Sequence, residues 1–390
     1  MTGPGELEPR MNATTSTSPR VWGCAGGGPG RTGLAAHSGD VRTPPARTLK
    51  ASAGVQAAVV FDAEQRALVA DMLGMVQAFD ADGHRLWQRQ LDGAVSATPA
   101  VDLDHGRLFV GTHAGRIYGL KIADGTVLWQ SRLPSAGDPR IVADLLYLPD
   151  PERLVASSWG GQFHALAAAS GGTLHTWNAG ISPQAAASAD AKNNLYCLRA
   201  VRDEGVSLVR VASDGRETVL HRSPEGERRA NRAVVAAAPV IDDARSLLYF
   251  IANGDRVGRV FAWDLATDRL KWSVEFERAI VASPALRPDG SLLIADMTGT
   301  LSVVDSGSIR FRYDTGCDYL LAGPVSNGSN VAYLGDPAGW VHRVNSDGTG
   351  KAFLEAQRSL QARPSWSPAG DLFLPAMDGR VHVFGHAGLP

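Results

Sequence analysis

Nine consecutive residues, FRYDTGCDY (Phe311 to Tyr319), gather two phenols, two carboxylates and one thiol. At that density Tyr313, Asp314, Cys317, Asp318 and Tyr319 suit acid–base work or the capture of a polar ligand. Turn formation and hydrogen-bonded capping draw on the same residue types, so a structural reading stands beside the chemical one. His113 in GTHAG is a candidate general base, and Trp159 in SSWGG offers a ring on which a planar ligand can stack. The loop HRSPEGERRANRAV (His221 to Val234) carries Arg222, Arg228, Arg229 and Arg232, which either form an anion site or pair with Glu225 and Glu227. The candidate catalytic residues are therefore Asp314, Asp318, Tyr319 and His113. The candidate ligand-binding residues are Trp159, Tyr313, Arg228, Arg229 and Arg232. No metal or cofactor site is expected.

Other suggestive patterns read as structure. DADGHRLW (Asp80 to Trp87) begins like a calcium loop, but Leu86 and Trp87 stand where further oxygen ligands are needed, so it is expected to be a hairpin turn. GPGRTG (Gly28 to Gly33) satisfies G-x-G-x-x-G without a preceding strand or a following helix. His164, His342 and His382 fall in separate repeats and are expected to be buried, hydrogen-bonded residues. No HExxH, P-loop or G-x-S-x-G elbow occurs.

The elements that must position these residues emerge from self-comparison. DADGHRLW, IADGTVLW, AASGGTLHTW and LATDRLKW share a turn followed by Trp, with weaker copies at VASDGRETVL, VDSGSIRF and VNSDGTGKAF. These seven anchors lie about 39 to 52 residues apart, the length of a four-stranded propeller blade. After each anchor comes a small-residue segment such as SATPAV, VASPAL or ARPSW, expected to be an innermost strand. Two further short runs rich in Val, Leu, Ile and aromatics follow, separated by Gly-containing turns. The Trp is expected to wedge between adjacent blades. Units begin near Gly54, Gly93, Ala136, Ile181, Ala233, Ala279, Tyr319 and Gln361, which makes eight. The last supplies only three strands, and ARTLKAS (Ala46 to Ser52) is expected to complete it and close the ring. The fold class is thus all-β: an eight-bladed propeller of four-stranded antiparallel blades. Residues 1–20 read as a disordered segment, 21–45 as a leader and 46–390 as one propeller.

Composition narrows the partners. The net charge is −2 and the isoelectric point near 6.6, with no Lys/Arg stripe, so nucleic-acid binding is not expected. No apolar run approaches the roughly 20 residues that cross a bilayer, and the N-terminus shows no secretory pattern. Three dispersed cysteines, Cys24, Cys197 and Cys317, form no disulfide framework and suit a reducing compartment. Cytoplasmic location and a monomeric state are the expectations.

The repeat pattern, Gly-x-Val/Leu-x-Ala/Leu-(Asp)-x-Ala-x-x-Gly-x-x-x-Trp, resembles that of the PQQ-like, quinoprotein-type propellers. The leader WGCAGGGPGRTG (Trp22 to Gly33) resembles the segment preceding their first blade, so the likeness covers residues 21 to 390. In the quinone-dependent dehydrogenases it implies a cofactor on the axis, a calcium ion, a catalytic Asp and often a disulfide between adjacent cysteines, and adjacent cysteines are missing here. A relation to the propeller lipoprotein of outer-membrane protein assembly would imply export and a lipid anchor.

The expected function is a cytoplasmic module binding a protein or small ligand through its loop face. The rival is a cofactor-independent enzyme, a lyase, cyclase or hydrolase acting on a small metabolite at the channel mouth. A void gathering Tyr319, Asp318, Asp314, His113 and Trp159 would favour the enzyme. A plugged mouth with an apolar patch would favour the partner-binding module.

Overall fold

The computed structural model describes residues 21–135, 137–178, 180, 185–201, 205–222, 235–254 and 257–387. The Arg228, Arg229 and Arg232 candidates, and the segment 1–20, lie outside these residues. Eight four-stranded antiparallel sheets form the blades of one ring. Blade 2 is representative, with strands Ala100–Asp102, Arg107–Gly111, Arg116–Lys121 and Val127–Arg132 from the axis outward. Its second strand, RLFVG, is buried throughout, whereas the outermost strand alternates between exposed and half-buried positions. The one short helix among the described residues is the 3₁₀ turn Asp243–Arg245. Connections between blades and the turns joining second to third strands share one face of the ring, here the loop face. First-to-second and third-to-fourth turns share the opposite face.

The last blade has strands Ser365–Trp366, Leu372–Pro375 and Arg380–Phe384, and its outer strand is Arg47–Lys50 from the other end of the chain. Arg47 stands opposite Val383 and Lys50 opposite Arg380, so the expected closure by residues 46 to 52 is present. Leu49 from this strand is almost fully buried, which ties the hydrogen-bonded seam to apolar burial. A second pairing, Asp40–Val41 with His386–Ala387, reinforces it.

The tryptophans act as wedges. Trp87 Nε1 donates to Ile122 O at 2.7 Å and Trp129 Nε1 to Ala168 O at 2.9 Å, each carbonyl belonging to the next blade. Gly171 shows why glycine recurs in the facing turn: its φ is +74°, and a Cβ would lie 2.4 Å from the Trp129 ring. The Asp80 segment is the expected hairpin turn, with Asp80 Oδ1 accepting from the N–H groups of Asp82 and His84.

The leader does more than precede the first blade. It runs once around the inside of the channel as a collar. The N–H groups of Phe61 and Val101 donate to Trp22 O and Gly23 O, at 3.0 and 2.9 Å. Those of Ala189, Ile241, Leu286 and Ser326 donate to the carbonyls of Pro29, Gly30, Thr32 and Gly33 at 2.7 to 2.9 Å. Blade 3 is reached through Arg31 Nη2 to Leu145 O (3.0 Å), and blade 8 through His37 Nε2 and Gly370 O (3.2 Å). Every blade is therefore fastened to one short segment. Glycine is required there: at Gly33, with φ +66°, a Cβ would sit 2.0 Å from Arg363 Nη2.

Candidate functional site

The channel axis is lined by the residue two positions before each innermost strand: Ala58, Thr98, Asp144, Ala186, Ala238, Ser283, Gly323 and Arg363. The small members leave room for two long ones. Arg31, 1% exposed, donates from Nε to Ala187 O (2.8 Å) and from Nη2 to Asp144 O and Leu145 O (3.2 and 3.0 Å). Arg363 donates from Nη2 to Pro284 O (2.7 Å) and from Nε to Pro324 O (3.1 Å), and burial holds its guanidinium down to about 10. Cys24 is buried beside them, and burial pushes its thiol up.

On the loop face, blades 2 and 3 bring together Ser96, His113, Asp138, Arg140 and Trp159. Ser96 Oγ lies 2.7 Å from His113 Nε2. The His113 N–H donates to Ala94 O at 2.8 Å, which fixes the ring's origin. Arg140 is clamped by both carboxylate oxygens of Asp138 and lies 5.2 Å from the centre of the Trp159 ring. Burial and then the Arg140 charge lower the basicity of His113, against a smaller pull from Asp138, so the imidazole is neutral at neutral pH.

Tyr313 belongs to a second group, between blades 6 and 7. Its Oη is 3.1 Å from His342 Nδ1, His342 Nε2 is 2.9 Å from Asp336 Oδ2, and Cys317 Sγ is 2.9 Å from the same oxygen. His342 is thus the buried, bonded residue expected. Burial and Asp336 push the Cys317 thiol up to about 11. Asp314 caps its own turn by accepting from the Gly316 N–H at 2.9 Å, and Tyr319 is 38% exposed. Asp318 lies in the exposed connection between them. The ring sets blades 2 and 3 opposite blades 6 and 7, so His113 and Trp159 do not share a void with Tyr313, Asp314, Asp318 and Tyr319.

The repeat also equalises a set of residues that sequence reasoning passed over. In the second-to-third turns, the N–H groups of Met72, His113, Trp159, Met297 and Met377 donate to Gly54 O, Ala94 O, Arg140 O, Ala279 O and Ser359 O, all at 2.8 to 3.0 Å. The side chains therefore leave the loop face at matching positions. Met297, Pro337, Met377 and Met72 occupy four consecutive blades and are half-buried, with Leu73 beside them 63% exposed. Aligning DMLG, DMTG and AMDG would have exposed this column. Arg363 was visible in the same way, as one arginine in a column of small residues. On the opposite face a cavity of about 1020 Å³ opens above the collar, walled by Trp22, Gly28, Asn193, Ala244, Leu286 and Trp366 among others.

The residues present do not fit an axial quinone. Collar backbone and the side chains of Arg31 and Arg363 cross the axis at the floor of that cavity, and the three cysteines lie far apart in sequence and unpaired. Among the described residues, Asp80, Asp82 and His84 form a group close enough to share an ion, but they belong to an exposed hairpin at the rim.

Comparison with known proteins agrees with this architecture. The family model described as outer membrane protein assembly factor BamB matches residues 73–273. Outer membrane protein assembly factor BamB of Escherichia coli (strain K12) is 36% identical over 73 residues, 16% of this chain. The protein of that name from Shigella dysenteriae serotype 1 (strain Sd197) matches equally, and the match spans 19% of the length of each. Among solved structures, BamB from Moraxella catarrhalis superposes with a TM-score of 0.71 at 17% identity, covering 88% of this chain and 99% of that one. A europium-containing methanol dehydrogenase gives 0.77 at 12% identity, covering 95% and 98%. The quinohemoprotein alcohol dehydrogenase from Comamonas testosteroni gives 0.75 at 13%, covering 96% and 82%. At such identities the structural likeness speaks for the fold alone. The family match extends over more than half of the chain, which belongs to the PQQ-like propeller family represented by outer membrane protein assembly factor BamB.

Proposed function

We propose that this chain is an interaction module that receives a partner protein on its loop face. The observation that carries the reading is the closed axis: the chain's own collar holds all eight blades and occupies the space where the dehydrogenase relatives of the fold would be expected to work. What remains on the loop face is a crescent of Met297, Pro337, Met377, Met72 and Leu73. Unbranched, polarisable methionines adapt to a partner's side chains, and Leu73, 63% exposed beside these half-buried residues, offers an apolar contact. Relatives named for outer-membrane protein assembly favour a protein partner over a small molecule. The three unpaired thiols support work in a reducing compartment such as the cytoplasm.

The test is affinity capture with the full chain, followed by native mass spectrometry. The combined variant Met72→Asp, Met297→Asp and Met377→Asp should lose a partner that the wild-type chain retains. Leu103→Asp, an exposed apolar position on the opposite face, should keep it. Equal retention by both variants, or a small molecule released on denaturation in place of a polypeptide, overturns the reading.

A further inference from the structure

We propose that Ser96 and His113 form a nucleophile–base dyad able to carry out acyl transfer from a small ester at the polar side of the loop face, a function independent of the partner crescent. The geometry rests on two rigid anchors. Ser96 stands between Val95, whose N–H donates to Asp71 O at 3.1 Å, and the Ala97–Thr98 pair, where the Thr98 N–H donates to Asp144 Oδ1 at 2.8 Å. His113 is held through its own N–H by Ala94 O. Between these anchors the hydroxyl and Nε2 are 2.7 Å apart, within the distance at which a base takes a proton from its nucleophile. Both side chains are half-buried, so they are shielded yet open to the loop face.

The surroundings suit the roles. A neutral imidazole with its proton on Nδ1 leaves Nε2 free to accept from Ser96. The charges facing His113 from blade 3 are Arg140 and Asp138, which pair with each other. On its own blade Asp92 is tied to Arg116 at 3.0 Å and to Thr112 Oγ1 at 3.1 Å. No unpaired carboxylate in this set competes for the Ser96 proton. Arg140 lying against Trp159 gives a cationic, flat wall suited to the developing oxyanion or to an anionic or aromatic acyl group.

The chemistry balances with water alone. Ser96 Oγ forms a bond to the acyl carbon as its proton passes to His113 Nε2. The carbonyl re-forms, the ester C–O bond breaks, and the proton on Nε2 goes to the leaving alcohol. Water then attacks the acyl-serine, giving its proton to Nε2, and the acid departs as Ser96 recovers its hydrogen.

The test uses the full chain and a fluorophosphonate probe, which phosphonylates activated serines, with the site read by peptide mass spectrometry. Ser96 should be labelled at least about 100-fold faster than the exposed Ser306, and His113→Gln should remove that advantage. The labelling rate should fall with acid along a curve whose midpoint lies below 6.5, as the depressed basicity of His113 requires. Ser96→Cys supplies an independent readout: its thiol should be alkylated by iodoacetamide faster with His113 present than when His113→Gln is combined with it, because a neighbouring imidazole favours the thiolate. Labelling of Ser96 no faster than Ser306, or a rate that His113→Gln leaves unchanged, overturns the dyad.

Discussion

Arg31→Met tests whether the collar holds the ring together. Arg31 is 1% exposed and serves four carbonyls, those of Ala187, Ala25, Asp144 and Leu145, at 2.8 to 3.3 Å. It also stands 3.9 Å from the Asp144 carboxylate. Methionine fills most of the volume but donates nothing. Each buried carbonyl left without a partner costs about 1.5 kcal/mol, about 6 kcal/mol for the four, and relief from burying a charge returns about 2 kcal/mol of that. A net loss of about 4 kcal/mol follows. For a chain of 390 residues the melting entropy is about 0.8 kcal/mol/K, so the melting temperature should fall by about 5 °C. Calorimetry reads the shift. Hydrogen exchange reads the cause: the amides of Ala189, Ile241, Leu286 and Ser326, which donate to collar carbonyls, should lose protection ahead of the blade interiors. A shift under about 1 °C with those four amides still protected would refute the clasp.

Two further outcomes are expected. His37, His113, His164, His221 and His382 are all lowered from 6.5, chiefly by burial and for His37 also by His386, whose ring stacks on it at 5.1 Å. A folded-state value below the unfolded one means that the unfolded chain takes up protons first. Stability should therefore be full above pH 6.5 and decline as pH falls below it, and melting temperatures between pH 7.5 and 5.5 check the sign, a flat profile counting against it. Trp129→Ala should cost about 3 kcal/mol, and Gly171→Ala about 1 to 3 kcal/mol because the new Cβ meets the Trp129 ring. The double variant should cost less than the sum of the two, since the clash vanishes with the ring, and strict additivity in denaturant melts would argue against the wedge.

What the sequence by itself determined is what repeats locally. Alternating apolar residues, Gly-containing turns and a Trp about every 39 to 52 residues follow from contacts within a blade and with its neighbour, so blade number, hairpins and wedge positions could be read in advance. Closure by residues 46 to 52 was legible too, because the last unit lacks a strand and a ring cannot leave an edge open. The tertiary structure alone decided the rest. Trp22 to His37 has no strand period, since it bonds through backbone groups to six blades and through the Arg31 and His37 side chains to the other two, and a backbone contact leaves almost no mark on side-chain pattern. The candidate residues fared likewise. Tyr313 and His113 are alike as sequence signals, yet ring geometry sends them to opposite sides, the first into a buried relay with His342 and Asp336, the second beside Ser96. Neighbourhood across the ring depends on how the blades close, and a repeat carries no record of which copy will stand opposite which until the fold is complete.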